Sequence, residues 1–157
     1  MENDVLFEHP WQQNPAELIR YAIEHIKGKN AEPDFDNRMA FLLLDIGVES
    51  LFKIYLSLPD EVINTTVPYI ERCSAIKGGF HKLVQYVKKC ADDDLKSINM
   101  NHVLYYHKLR NKLYHESDSI TISRKVTIKY AKLSIEILHS LLNCPNCIKN
   151  WNYVWKF

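Results

Sequence analysis

The sequence predicts an all-α fold, an up-and-down bundle of four to five main helices, on three observations. Apolar residues recur at helical spacing along most of the chain. The only strand-like alternation is the brief run Ser119-Ile120-Thr121-Ile122. Proline, glycine or small polar clusters separate the periodic stretches, leaving short connections of the kind that join neighbouring helices.

Taken in order, the lead-in Val5 to Trp11 contains Pro10 and has no clear period. A first helix is expected with Asn14 as N-cap, Pro15 at its first position and Glu17 in its first turn, ending at Gly28. Leu18, Tyr21, Ala22 and Ile26 form its apolar stripe. After the linker Lys29 to Pro33, Asp34 or Asp36 caps a second helix that runs to about Ser57 and is stopped by Pro59. That helix is apolar nearly all round, with Asp45, Glu49 and Lys53 as one polar line at i, i+4 and i+8, which predicts a central position. Its acids have two readings: they pair with Lys53, or they hold a partner such as Arg110 from the inside.

Asn64-Thr65-Thr66 and Pro68 interrupt the next segment, and a short helix is expected over Tyr69 to Ile76. Gly78-Gly79 reads as a turn, because a phosphate cradle would need a longer glycine pattern and a preceding strand. Phe80, Leu83, Val84 and Val87 share one face of a helix ending near Cys90. Asp92-Asp93-Asp94 could suggest a divalent metal, but without further oxygen ligands at loop spacing it reads as a solvated helix start. A helix from about Asn101 follows, then a loop from Glu116 to Ile122, and a broadly apolar helix from Arg124, capped by Ser123, to about Leu142. The tail carries Trp151, Tyr153, Trp155 and Phe157, aromatic surface that should bury against the bundle or a second copy.

At 157 residues the chain suits one domain, residues 1–157, with a core over roughly 14–142 and an aromatic tail over 143–157. Its composition, 46% hydrophobic and 25% charged, is that of a globular protein. The acidic start Met1-Glu2-Asn3-Asp4 lacks a leader's pattern, and charges interrupt the most apolar stretch, Met39 to Leu56. A cytoplasmic protein without membrane contact is therefore expected. Four cysteines are then expected to stay reduced, and Cys144-Pro145-Asn146-Cys147 supplies only half of a zinc site. Neither a metal nor another cofactor is expected.

The chemistry concentrates in His107-Lys108-Leu109-Arg110-Asn111-Lys112-Leu113-Tyr114-His115. Helical spacing places His102, Tyr105, Tyr106, Leu109 and Leu113 toward the core, and His107, Arg110, Asn111, Tyr114 and His115 on the opposite side. Arginine offers a planar fork to phosphate, and histidine titrates near neutrality as acid or base. Asn111 can donate to a phosphate oxygen or orient the histidine. The surrounding segment, residues 102–132, holds seven Lys or Arg against Glu116 and Asp118, whereas 34–71 holds seven acids against Arg38 and Lys53. A basic segment coinciding with the motif fits a phosphate-binding face or, equally, a solvated helix side.

Arg110-Asn111-Lys112-Leu113-Tyr114-His115 resembles the R-x(4-6)-H signature of the HEPN superfamily, helical domains that are often RNA-cleaving toxins or defence effectors. The resemblance covers roughly residues 36–142, with the motif closing a late helix and a long amphipathic helix coming last. It implies a metal-independent endoribonuclease, in which Arg110, Asn111 and His115 are catalytic and two protomers form one composite cleft. His107, Tyr114, Lys108, Lys112, Asp45 and Glu49 would bind substrate or support the site. His107 could also be a structural histidine satisfied by the backbone, and Tyr114 could pack at the dimer contact. The implied partners are RNA, a second copy and an inhibitor or antitoxin protein. Ser117 stands where members modified by a partner nucleotidyltransferase carry tyrosine, which argues against that regulation. The alternative is a non-catalytic nucleotide-binding, RNA-binding or protein-interaction module.

Overall fold

The computed structural model describes residues 9–28, 33–115 and 120–142. Among them the regular structure is entirely helical: α1 (Pro10–Lys27), α2 (Pro33–Ser57), α3 (Asp60–Ile63), α4 (Tyr69–Ile76), α5 (Phe80–Cys90), α6 (Asp92–Leu95), α7 (Met100–His115) and α8 (Arg124–Leu142). Residues 120–123 form no strand. The Cys144–Cys147 pair and the aromatic tail lie outside the described residues, as does the loop over 116–119. Among the described residues, no helix is long and apolar enough to cross a membrane.

Helix α2 is central, as its composition predicts: it packs against α1, α4, α5, α7 and α8. Phe41, Leu44, Val48, Leu51, Phe52 and Leu56 are fully buried along it. Its C-terminal end matches the sequence expectation, with Pro59 soon after Ser57, but it begins at Pro33, so Asp34 and Asp36 lie inside the first turn, where their charge favours the helix start, and neither is the expected cap. α4 and α5 also begin and end where expected, and Gly79 is the N-cap of α5. Asp92, Asp93 and Asp94 are exposed at the start of the one-turn α6, a solvated start. At α8 the Ser123 hydroxyl accepts the Val126 N–H at 3.3 Å, the expected cap.

Helix α1 corrects the expected start. It begins at Pro10, so Pro15 lies inside the helix and Asn14 does not cap it. The earlier turn is anchored by Gln12, whose side chain accepts the His9 N–H at 2.9 Å and donates to the Leu142 carbonyl at 3.3 Å. These bonds tie the first turn to the end of α8 and outweigh the bias of Pro15 toward a helix boundary. The buried stripe also differs: Ala16, Ile19, Ala22, Ile23 and Ile26 face the core, while Tyr21 is exposed beneath the Arg20 guanidinium.

Where α1 meets α2, Gly47 lies against the other helix. A Cβ at that position would sit 2.9 Å from Ile19 Cγ1 and 3.3 Å from Leu18 Cβ, neither of them the loose end of a flexible side chain. Alanine would ordinarily strengthen a helix interior by about 1 kcal/mol over glycine. Here Gly47→Ala should instead destabilise by about 1–2 kcal/mol, the scale of overpacking. Urea unfolding of the two proteins checks the sign.

Candidate functional site

The site is built on a carboxylate that the fold cannot leave alone. Asp45 lies mid-way along α2 and is fully buried, where an unpaired charge would be prohibitively costly. Three side chains from two other helices meet it. Tyr130 of α8 donates its hydroxyl to Oδ1 at 2.8 Å. From α7, Arg110 donates Nε to Oδ2 at 2.7 Å, and His107 Nδ1 lies 2.9 Å from the same oxygen. Burial by itself pushes the Asp45 carboxyl upward, but the bonds from His107, Arg110 and Tyr130 together outweigh it, holding the group below its ordinary value. The Tyr130 phenol is raised well above its usual range, first by burial and then by the adjacent Asp45 charge.

Aromatic contacts fix the same residues. The His107 ring stacks on Phe80 of α5, with centroids 3.6 Å apart and planes 10° apart. Tyr106 stacks on Tyr130 at 4.4 Å, and Phe41 contacts both rings. Glu49, one turn after Asp45, accepts Lys53 at 2.7 Å and lies 3.4 Å from Arg110 Nη2. Both readings of the α2 acids therefore hold at once: Glu49 pairs with Lys53, and Asp45 holds Arg110 from the inside.

This network corrects the expected orientation of α7. Tyr106 and Leu113 are buried as expected, but His102 and Tyr105 are exposed and Leu109 is only half-buried. His107 and Arg110 turn inward, with side chains 15% and 23% exposed. The physical reason is Asp45: a buried carboxylate reverses the rule that apolar residues face in, and rotates α7 to supply its donors. Among the described residues His107 is held by that side chain and by Phe80, not by a backbone partner.

The remaining motif residues lie at the end of α7. Asn111 is half-buried, while Lys108, Lys112, Tyr114 and His115 are exposed, Tyr114 at 74%. The Tyr114 and His115 rings meet edge to face with centroids 5.6 Å apart. Five positions of helix place His115 about 140° around the axis from Arg110 and about 7.5 Å along it. Asp45, Glu49, His107 and Arg110 thus form one cluster, and His115 stands apart from it on the outer side of the same helix.

Asp45, Glu49 and His107 each offer a ligand atom, all within 4.8 Å of one another, a spacing a metal ion could use. Arg110 already occupies that space as the cation, bonded to Asp45 and facing Glu49, so a divalent ion would have to displace a guanidinium. The donor set fits an arginine cage better than a metal centre. Phe80 and Tyr130 are the contributors that the motif does not reveal. Comparison with protein-family models, curated proteins and solved structures finds no match.

Proposed function

We propose that the chain is a metal-independent endoribonuclease with an HEPN-like helical bundle, working as a homodimer in the cytoplasm. The observation that carries this reading is the preorganised Arg110. Its Nε is fixed by the buried Asp45, while Nη1 makes no hydrogen bond among the described residues and the side chain stays partly open. A phosphate at that edge would meet an oriented charge without reorganisation, the arrangement that stabilises a pentacoordinate phosphorus most effectively. His115, exposed at the helix end, is free to act as acid or base.

In this reading one histidine takes the proton from a 2′-hydroxyl, whose oxygen attacks the adjacent phosphorus. A second histidine protonates the departing 5′-oxygen, leaving a 2′,3′-cyclic phosphate. Because Arg110 and His115 lie on different sides of α7, one copy supplies an incomplete set. Two copies meeting at the α7 ends would place two arginines and two histidines around one strand. Tyr114 lies at the angle that α7 buries elsewhere yet is exposed here, which suits a contact with the second copy. Asn111 donates to phosphate or steadies the histidine, and an inhibitor or antitoxin protein would restrain the activity.

The test is incubation of purified protein with mixed RNAs in chelator. His115→Ala and Arg110→Lys should each lower cleavage at least about 100-fold, the scale for losing a positioned acid–base group or a fork-shaped charge. Lysine is chosen because it keeps a cation beside Asp45 while removing the fork. DNA and 2′-O-methylated RNA should survive. Equal cleavage by all three proteins eliminates the enzyme, and cleavage by a species that light scattering shows to be monomeric eliminates the composite site. A second reading, a non-catalytic anion-binding or interaction module, is favoured by one observation: two carboxylates already face Arg110. RNA binding without cleavage in the same assay would select it.

A further inference from the structure

The rotation that turns Arg110 inward also determines what α7 shows to solvent. Asn101, Tyr105, Lys108, Lys112 and His115 fall within an arc of about 80° on its outer side, over about 21 Å of axis. All five are exposed. Tyr105 is 56% exposed, and edge-to-face contact with the buried Tyr106 holds its ring. No Asp or Glu occurs anywhere in α7. Among the described residues neither Lys108 nor Lys112 makes an ion pair. An ordinary solvated helix side mixes both signs of charge and seldom presents a tyrosine in line with two unpaired lysines.

We propose that this outer face of α7 is a track for one single polynucleotide strand, with Tyr105 stacking on a base and Lys108 and Lys112 holding successive phosphates. The two lysines are one helical turn apart, about 6 Å along the axis, a separation that consecutive phosphates of an extended strand can match. Base stacking on an exposed aromatic beside a cationic row is how sequence-tolerant single-strand binders work. The row ends at His115, so the track delivers the strand to the side chain proposed for proton transfer. The inference rests on that reading for its direction, but strand binding itself requires no cleavage.

The test uses the whole chain and a labelled, uncleavable 2′-O-methyl RNA of mixed sequence, followed by fluorescence anisotropy at several salt concentrations. Tyr105→Ala should weaken binding at least about fivefold with the salt dependence unchanged, the signature of a lost stacking contact. Lys108→Ala with Lys112→Ala should flatten the slope of log affinity against log salt by about 0.7 for each lysine removed. Lys77→Ala with Lys96→Ala, exposed lysines on other elements, should leave binding as it is. Circular dichroism of each variant should match wild type, since every altered side chain is exposed. Unchanged affinity in the Tyr105 and lysine variants overturns the track. So does displacement of the oligonucleotide by an acidic peptide as readily as by unlabelled RNA, which would reassign the face to a protein partner. If the variants bind as expected while His115→Ala cleaves like wild type, the track stands and the ribonuclease reading fails.

Discussion

Replacing Arg72 with alanine should lower the free energy of unfolding by about 3–5 kcal/mol, the scale for removing one member of a buried, hydrogen-bonded charge network. Its side chain is fully buried, the largest such side chain among the described residues. The guanidinium donates to the carbonyls of Leu56 at 2.9 Å, Leu58 at 2.6 Å and Val67 at 3.2 Å, and it pairs with the half-exposed Asp60. Those carbonyls belong to the end of α2 and to the irregular chain leading to α4, where regular structure supplies no partner. Alanine would leave up to three carbonyl oxygens and a cavity in place of one side chain. For a domain of this size the loss corresponds to roughly 6–20 °C in Tm. Asp60→Ala, at the exposed end of the same contact, should cost no more than about 1 kcal/mol. Comparable losses from the two variants, measured by urea unfolding, would show that the ion pair and not the carbonyl bonds holds the junction.

The sequence is legible where punctuation and period agree. α4 and α5 are bounded by Pro68, Gly78-Gly79 and the end of an apolar face, and their limits follow from those residues. α2 announces its central place because a helix apolar nearly all round has to be surrounded. The start of α1 is hidden because Gln12 bonds a residue 130 positions away, an anchor that no local pattern records. Tyr130 carries a weak signal, a phenol in an apolar run that requires a partner for its hydroxyl. Arg72 carries none, since its acceptors are backbone groups whose lack of partners appears only after folding.

The orientation of α7 is the instructive failure. Spacing along one helix says which residues share a side, and the grouping of Tyr106 with Leu113 holds. It cannot say which side faces in when another helix presents a buried charge. A charge in the middle of α2 is visible in the sequence, and so is Arg110 as a possible partner. Taken together they already imply that Arg110 faces in and the lysines face out. The site and the outer face of α7 are then two consequences of one residue, Asp45.

That residue supports the other large effect. Asp45→Ala should destabilise the protein by about 3 kcal/mol, the low end for breaking a buried pair, because Arg110 remains partly hydrated and keeps Glu49 nearby. Much of the cost falls on Tyr130, whose fully buried hydroxyl loses its acceptor. Asp45→Asn should cost less, since an amide oxygen still accepts one bond, and it separates charge from shape. The pH dependence follows from the direction of the Asp45 shift. A carboxyl held below its ordinary value contributes stability that is fully present above the unfolded value, about 3.9, and is lost as pH falls through the folded one. The stability gap between wild type and Asp45→Asn, read from urea unfolding, should therefore stay constant from this group's titration down to about pH 5 and narrow steeply below about pH 4. A gap that persists undiminished to pH 2 would mean that the buried carboxylate contributes through packing alone. Arg110 would then lack the electrostatic anchor on which its role toward phosphate depends.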